Sequence, residues 1–524
     1  MLIAPPIMDD HGLGMASIAM DAIRECPPYG IYLLHAVLCD AGYDAFLVDL
    51  IAPGTESVQD QPVEDMDLIA IGATSMSWPT ALRVVAQIRT RNPNVPIVVG
   101  GIHPTMFDWY LMSEFDIDFV IRGEGEVALV ALVEAIRTAQ EPSTVPNLTW
   151  RSKEGKIVRN PAGRQLSAIE LATAALPKYE LLPKNVYQGL SIESSRGCAF
   201  DCSFCSTSYR KSFRAMPAQL FVDRLEYVIG FQDRTRQPFT HIVDDEFTLN
   251  VKRAVDIASE IHRRGLQPAI VYDSRATDLL KGELVENLAP YTYQFLLGAE
   301  CGYDEGLKKI GKGTTTEILT QVAKILNKNG IADRADFSFI LGLPWETAKE
   351  VEATCRFALG LNERYGVRVL LQWYCQIPGS RLWQEARDLG LVSEAMYNEP
   401  GFFRNLYLFR SAVKLTNEEI DRISRLVRIV GDVAAVKADG RRMVEYSHPE
   451  SLRIYFPPGI YGRPNDSLQN LREVARADHR RVYKEKKDLG HKQALVNHSI
   501  DFLAGRPPKH PANVRADEGS DSSG

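Results

Sequence analysis

Three cysteines, Cys198, Cys202 and Cys205, stand in a C-x3-C-x2-C spacing in a chain that has 8 cysteines among 524 residues. Thiolates so close together on one loop can bind a common metal centre, and soft sulfur ligands select zinc or iron–sulfur clusters. A structural zinc ion needs a fourth ligand nearby, and no CxxC or HxxxH pattern follows to supply one. We therefore expect a 4Fe-4S cluster with one iron open to a small molecule. Three buried structural thiols are the alternative.

The bulk composition describes an ordinary globular protein. Apolar residues make up 45% of the chain and charged residues 24%, with a net charge of -7. This length predicts two or three domains. Long Lys/Arg blocks are absent from the sequence, and no apolar run reaches the roughly 18 residues that a membrane span needs. We therefore expect no nucleic-acid partner, no membrane partner and a cytoplasmic location.

The order of apolar and helix-period segments predicts an α/β fold. Residues 1–145 have the pattern of a Rossmann-like domain, and residues 146–189 are predicted to form a hairpin and a linker. Six further βα units over residues 190–390 predict a partial (β/α)6 barrel of the TIM type, with its reactive site at the carboxyl ends of the strands. Residues 391–505 are expected to form a mostly helical C-terminal substrate domain, and residues 506–524 a disordered tail.

The cysteine loop resembles the signature of the radical S-adenosylmethionine enzymes, C-x3-C-x-aromatic-C, with Phe204 in the aromatic position. The resemblance covers roughly residues 1–390, including the order of the domains. It is closest to the branch that carries an N-terminal cobalamin-binding domain. It therefore implies three cofactors, namely a 4Fe-4S cluster, S-adenosylmethionine and cobalamin.

The same resemblance assigns S-adenosylmethionine contacts to the ends of the barrel strands. The family's loop for the methionine amino group corresponds here to three consecutive carboxylates, although the family's glycines are absent. The Gly-x-Pro-Gly-Glu-Thr pattern of the family also recurs, with Trp345 in place of its second glycine. Each such side chain could instead form an ordinary surface ion pair. The implied contacts are Phe204, Asp244, Asp245, Glu246, Arg275, Glu300, Gly342 and Pro344.

In the first domain, the loops that follow three predicted strands resemble those of cobalamin-binding relatives. Glycines at strand ends let a large ligand approach the backbone without a Cβ clash, although simple turn glycines are the alternative. The nicotinamide fingerprint G-x-G-x-x-G is missing from the first βα turn. The predicted cobalamin contacts are Thr74, Ser75, Met76, Ser77, Trp78, Gly100, Gly101, His103, Gly123, Glu124 and Gly125.

One further pattern concerns the cobalt ligand. Asp9 to Gly14 spell D-x-H-x-x-G, by which some cobalamin proteins place a histidine on cobalt, here His11. The expected helix starts near Gly30 rather than directly after the motif, and the usual S-x-L partner is missing. We therefore predict that cobalt has no histidine ligand and that Trp78 or Met76 excludes water from its lower face.

The resemblance implies a methyltransferase that acts on an unactivated carbon of a small molecule such as a natural product. One S-adenosylmethionine would methylate cobalt, and another would be cleaved to the 5'-deoxyadenosyl radical that activates the substrate. An electron donor such as flavodoxin or ferredoxin is implied as a partner. Two alternatives stay open, a cyclase or rearrangement enzyme with the same cofactors and a cobalamin or redox sensor. The sequence identifies no catalytic side chain.

Overall fold

The structure is a computed structural model that describes residues 1–6, 26–50, 57–183, 186–232 and 238–398, together with a few positions between 415 and 423. His11, most of the predicted C-terminal domain and the predicted tail lie outside the described residues.

The first domain is built on a seven-stranded sheet in the order β2-β1-β3-β4-β5-β6-β7. The first five strands are parallel, and the last two are antiparallel. Short, apolar, buried strands are typical of a parallel sheet that is covered on both faces. The strands are β1 (Leu2–Ala4), β2 (Leu47–Asp49), β3 (Ile69–Gly72), β4 (Ile97–Gly100), β5 (Phe119–Ile121), β6 (Leu148–Arg151) and β7 (Ile157–Arg159).

The strand order creates a topological switch point between β1 and β3. The chain passes from β1 outward to β2 and then returns to β3 on the other side of β1. Ligands of doubly wound sheets bind at the carboxyl ends of the strands at such a point. The loop after β3 therefore borders the crevice. The helices of this domain are α1 (Tyr29–Asp40), α2 (Trp78–Arg91), α3 (Ile102–Glu114) and α4 (Glu126–Arg137).

The predicted hairpin is present as β6 and β7, and it extends the first sheet beyond residue 145. Strand β6 pairs antiparallel with β5, with Trp150 opposite Phe119. Leu148 and Trp150 are buried in this position. By pairing with β5, the hairpin satisfies backbone groups that an exposed strand edge would leave unpaired.

The second domain contains six parallel strands in the order β15-β14-β13-β12-β11-β8, which confirms the predicted partial barrel. The strands are β8 (Gly189–Ile192), β11 (Phe239–Ile242), β12 (Ile270–Ser274), β13 (Thr292–Glu300), β14 (Ala335–Leu341) and β15 (Arg368–Trp373). A small antiparallel ladder joins β9 (Ser195–Arg196) to β10 (Arg214–Ala215).

Helices cover the outer face of the barrel sheet. Tyr272 stacks on Phe295 between sheet and helices, with ring centroids 5.3 Å apart. Because side chains alternate along a strand, Asp273 faces the opposite side, the lumen. The helices are α5 (Ala168–Thr173), α6 (Ala218–Phe231), α7 (Val251–Arg263), α8 (Ala276–Leu279), α9 (Gly282–Leu288), α10 (Asp304–Ile310), α11 (Thr316–Lys328), α12 (Ala348–Tyr365) and α13 (Arg381–Asp388).

The segment after the barrel returns to the first domain. Trp383 on α13 and Tyr397 belong to the same apolar cluster as Phe107 of α3. Trp78 Nε1 donates to Oδ1 of Asn398 at 3.0 Å. The two domains are thus packed against each other on this side. Among the described residues, no helix is long and apolar enough to cross a membrane.

Candidate functional site

The cysteine loop is closed at its base by the β9–β10 ladder. Ser195 pairs with Ala215, and the amide of Cys198 donates to the carbonyl oxygen of Tyr209 at 3.2 Å. Gly197 has a φ of +85°, and a Cβ atom there would lie 2.0 Å from the carbonyl oxygen of Ser212. Only glycine fits this turn, which brings the first cysteine to the carboxyl end of β8.

The three thiols lie at the border between core and open space. Cys202 is buried, whereas Cys198 and Cys205 are partly exposed. Burial raises the pKa of the Cys198 and Cys205 thiols. Nη1 of Arg275 lies 3.7 Å from Sγ of Cys202. The guanidinium group thus places a positive charge beside this sulfur atom.

The three thiols share one loop, and soft sulfur donors suit an iron–sulfur cluster. Within the described part of the chain, no group of three His, Cys, Asp or Glu side chains is close enough to hold a single metal ion. Cys198, Cys202 and Cys205 remain the predicted ligands of the 4Fe-4S cluster.

Arg275 is held tightly beside the loop. Its guanidinium carbon lies 3.5 Å from the ring centroid of Phe200, and Nη2 donates to the carbonyl oxygen of Lys312. Its buried Nε has no hydrogen-bond partner among the described residues. An unpaired buried donor is unfavourable, so this nitrogen is available to a ligand acceptor. Phe204 packs partly buried against the barrel core, with Nζ of Lys312 5.9 Å from its ring centroid.

Lys312 was not singled out by the sequence, and it forms the buried ion pair of this site. Its Nζ lies 2.7 Å from Oε1 of Glu300. A Cβ atom on Gly298 would lie 2.3 Å from both atoms, so a larger residue there would displace the ion pair. The signal that could have identified Lys312 is its place between Gly311 and Gly313, which both have positive φ.

The three carboxylates after β11 have different environments. Asp244 is buried and accepts hydrogen bonds from the backbone and hydroxyl groups of Ser194 and Ser195. Asp245 is exposed and accepts from the amide of Gly197 at 3.0 Å. Asp244 is thus saturated by the protein, whereas Asp245 remains exposed beside the cysteine loop.

Glu246, the third carboxylate, is buried. Its Oε1 accepts from the hydroxyl group of Thr248 at 2.8 Å. Burial raises its pKa to about 8, an effect that Asp278 adds to and Lys312 opposes. A cation such as an ammonium group would therefore be favoured beside this carboxylate.

The loop after β14 is fixed by its own glutamate. Glu346 accepts from the amides of Gly342 and Leu343 at 2.7 and 2.9 Å, and from the hydroxyl group of Tyr303 at 2.9 Å. The loop that contains Gly342 and Pro344 is therefore rigid. Contacts of these two residues with S-adenosylmethionine stay a prediction.

Two polar side chains in mid-strand positions face the lumen and were missed by the sequence. His241 lies on β11, opposite Val271 of β12. Asp273 follows Val271 by two residues on β12 and therefore points to the same side of the sheet. Neither side chain has a hydrogen-bond partner within the described residues. Burial raises the pKa of Asp273 to about 7, with Lys312 opposing the shift, and burial lowers the pKa of His241. Polar residues inside apolar strands were the available signal.

In the first domain, the loop after β3 is internally braced. The amide of Thr74 donates to Oγ of Ser77 at 2.9 Å, and the amide of Ser77 donates back to Oγ1 of Thr74 at 3.3 Å. Met76 is 37% exposed, whereas Trp78 is fully buried. Of the two, Met76 is therefore the side chain that reaches open space. The prediction that either residue excludes water from cobalt is not tested by these positions.

The loop after β4 supports the loop after β3. Gly101 has a φ of +101°, and a Cβ atom there would lie 2.5 Å from the carbonyl oxygen of Ala73, whereas Gly100 has room for one. His103 is buried, stacks on Trp78 at 4.9 Å, and places Nδ1 3.1 Å from Oγ of Ser75. Gly101 thus permits a close approach of two loops at the crevice.

The loop after β5 faces the barrel. Glu124 lies 2.6 Å from Nη1 of Arg214 and 3.4 Å from Nη1 of Arg196, and it accepts from the amide of Leu166. Gly123 donates its amide to Thr105, and a Cβ on Gly125 would lie 3.2 Å from Leu34. The carboxylate is therefore occupied by the second domain, and its predicted contact with cobalamin is untested.

A doubly wound domain joined to a six-stranded partial barrel, with a three-cysteine loop at the first strand end, defines the class of protein. The B12 binding domain model matches residues 18–133, and the radical SAM superfamily model matches residues 192–358. An uncharacterised methyltransferase of Pyrococcus horikoshii is 30% identical over 77% of this chain and 86% of its own length. The chain belongs to the cobalamin-dependent radical S-adenosylmethionine methyltransferase family.

Two further comparisons show the range of this family. An anaerobic magnesium-protoporphyrin IX monomethyl ester cyclase of Rubrivivax gelatinosus is 28% identical over 69% of this chain, which spans 66% of that relative's length. The cobalamin-dependent S-adenosylmethionine radical enzyme OxsB, solved with aqua-cobalamin and S-adenosylmethionine bound, superposes with a TM-score of 0.64. The two share 15% identity over 97% of this chain and 75% of OxsB. Family membership confirms the predicted cofactors, a 4Fe-4S cluster, S-adenosylmethionine and cobalamin.

Proposed function

We propose that the protein methylates an unactivated carbon of a small molecule bound in the barrel lumen. The observation that carries the proposal is the position of the cysteine loop. It begins at the carboxyl end of β8, and Arg196 in its first turn forms ion pairs with the cobalamin-binding domain. Cofactors held by the two domains would therefore act at one shared site.

When bound, the cluster supplies the electron for cleavage of S-adenosylmethionine, and cobalamin carries the methyl group. Cys198, Cys202 and Cys205 would hold the cluster. The unpaired Nε of Arg275 and the buried side chain of Glu246 would orient S-adenosylmethionine, since the first offers a donor and a bound ammonium group would favour the ionised form of the second. The packed strand ends would exclude water.

The lumen favours a substrate with polar groups. His241 and Asp273 present hydrogen-bonding atoms to the lumen without partners among the described residues, and Lys312 contributes a buried positive charge nearby. The His241 and Asp273 side chains are only partly buried, so a ligand in the lumen can reach their polar atoms. A molecule with hydroxyl, amide or amino groups would form hydrogen bonds with them, whereas a pure hydrocarbon would not.

An electron donor is part of the proposal, and a basic surface beside the cysteine loop supports it. We call this surface the basic rim; its residues are Arg210, Lys211 and Arg381, which form ion pairs with Asp201, together with Lys308 and Lys309 of α10. Lys211 and Arg381 are 71% and 52% exposed, and Asp201 is the carboxylate that they share. The amide of Ser203 donates to the carbonyl oxygen of Ile310, which holds the end of α10 with its two lysines at the loop.

The basic rim is opposite in sign to the net charge of the chain. An acidic flavodoxin or ferredoxin would be steered towards such a surface. The donor would thus approach the side of the molecule where the cysteine loop is exposed.

Product analysis tests the proposal and separates it from a cyclase. The reconstituted protein is incubated anaerobically with S-adenosylmethionine, cobalamin, reduced flavodoxin and polar candidate substrates. Methylation predicts S-adenosylhomocysteine and 5'-deoxyadenosine together with a product heavier by one methylene. A ring-forming relative with the same cofactors, as the cyclase similarity allows, would release 5'-deoxyadenosine without S-adenosylhomocysteine. That result would overturn methyl transfer but not radical chemistry.

A further inference from the structure

His103 combines burial with an incomplete set of hydrogen bonds. The ring is fully buried, and Nδ1 lies 3.1 Å from Oγ of Ser75. Nε2 is also buried and has no partner among the described residues. Two aromatic rings surround it: the centroid of the His103 ring lies 4.9 Å from that of Trp78 and 4.8 Å from that of Phe107. Burial lowers the pKa of His103 to about 3, so the ring is neutral near pH 7.

The unpaired Nε2 selects the tautomer. A neutral imidazole carries one N–H group, on Nδ1 or on Nε2. Orphaned buried N–H groups are rarer in proteins than acceptors with unused lone pairs. The proton is therefore favoured on Nδ1, where it is donated to Oγ of Ser75, and Nε2 keeps a bare lone pair inside the aromatic surroundings.

This tautomer determines how the serine hydroxyl is used. With one lone pair of Oγ occupied by His103, the hydroxyl hydrogen of Ser75 can be donated elsewhere. Ser75 is 9% exposed, so the residue is mostly but not completely buried. It lies in the loop after β3, at the switch point where a doubly wound domain binds its ligand.

The loop geometry keeps this pair in place. The mutual hydrogen bonds of Thr74 and Ser77 fix the turn around Ser75. The positive φ of Gly101 brings the start of α3 against Ala73. A hydroxyl group that is prevented from rotating loses less entropy when it binds a ligand.

We propose that His103 is a positioning residue that fixes the hydroxyl group of Ser75 as a hydrogen-bond donor to an oxygen acceptor of bound cobalamin. The proposal rests on cobalamin binding by the first domain. His103 itself does not touch the cofactor, because its ring is enclosed by protein on all described sides. Trp78 then serves to hold the ring plane rather than to contact the ligand.

The test is the affinity of cluster-reconstituted protein for hydroxocobalamin, measured by anaerobic equilibrium dialysis. Ser75→Ala removes the donor, and His103→Phe removes the ring nitrogens while keeping an aromatic ring against Trp78. Each change is expected to raise the Kd about fivefold, the effect of one neutral hydrogen bond. Because both changes remove the same interaction, the double variant should bind about as well as either single variant.

Two further variants separate positioning from a structural role. His103→Asn keeps an N–H donor close to the position of Nδ1 and should restore much of the affinity. His35→Phe removes another buried histidine of the same domain, one whose ring bonds to the carbonyl oxygen of Ala45 at 3.1 Å. It should lower the thermal midpoint without changing the Kd.

An unchanged Kd in Ser75→Ala overturns the proposal whatever the histidine variants do. Additive losses in the double variant overturn it as well, since they would mean that the two residues act separately. Failure of the wild-type protein to bind hydroxocobalamin would instead contradict the cofactor assignment.

Discussion

Nη2 of Arg196 lies 2.5 Å from Oε1 of Glu126, and this ion pair joins the loop of the cluster cysteines to the cobalamin-binding domain. The same guanidinium group contacts Glu193 at 2.7 Å and Glu124 at 3.4 Å. These side chains are at least 87% buried, because none is more than 13% exposed. One cation thus organises three carboxylates from two domains.

Arg196→Gln should destabilise the protein by about 3–5 kcal/mol, because it leaves buried carboxylates without their cation. The free energy of urea unfolding of the apo-protein measures the loss. Arg137→Gln is the matched control, since its ion pair with Glu134 is exposed on both sides and should change the free energy of unfolding little. Equal losses in the two variants would contradict a special role for Arg196.

Alanine at Cys198, Cys202 and Cys205 together should abolish the broad visible iron–sulfur absorbance after anaerobic reconstitution, because these three thiols share one loop. Cys355→Ala is the control, since Cys355 is fully buried in the barrel core on α12 and should not affect iron content. A complete cluster in the triple variant would refute the assignment. Cobalamin binding should survive, because its domain is separate.

Gly101→Ala should lower the free energy of unfolding by about 2–4 kcal/mol. Alanine is strained at this positive φ, and its Cβ atom would lie 2.5 Å from a backbone oxygen. Gly42→Ala isolates the effect of φ, since Gly42 has a φ of +84° and no atom near the added Cβ; it should cost about 1 kcal/mol. Urea unfolding compares the two. Gly101→Ala should also weaken cobalamin binding, whereas Gly42→Ala should not.

Asp273 should make stability depend on pH. Its native pKa of about 7 exceeds the unfolded value of 3.8, so the native state binds the proton more tightly and stability falls as pH rises between these values. The Asp273→Asn variant has no titrating group at this position. As the pH rises from 4 to 8, its free energy of unfolding should therefore increase by about 1–3 kcal/mol relative to that of the wild-type protein. Urea unfolding of both proteins across this range tests the sign. A constant difference would show that the carboxyl group titrates normally.

Reversal of two charges on the basic rim should slow reduction of the cluster by flavodoxin. The variant Lys211→Glu with Lys308→Glu is compared with Lys252→Glu, a charge reversal at a side chain that is 85% exposed on α7. At low salt we expect about a tenfold lower second-order rate for the rim variant, an effect that should shrink at high salt. Stopped-flow absorbance gives the rates. Equal rates for the rim variant and the control would exclude this surface as the docking site.

The sequence by itself determined the features that depend on local pattern. Short apolar runs and helical periods predicted both parallel sheets, because burial on two faces imposes that pattern. The spacing of Cys198, Cys202 and Cys205 predicted one metal-binding loop, because residues so close in the chain are close in space. The resemblance of that loop then led to the family and its cofactors.

Only the tertiary structure decided which polar side chains are occupied by the protein and which remain available. Asp244 and Glu246 are near neighbours in the chain, yet Ser194 and Ser195 saturate the first, whereas the side-chain partner of the second is the hydroxyl group of Thr248. Lys312 and Arg196 acquire their partners from segments distant in sequence. Hydrogen bonding and desolvation depend on those distant neighbours, and no local spacing encodes them.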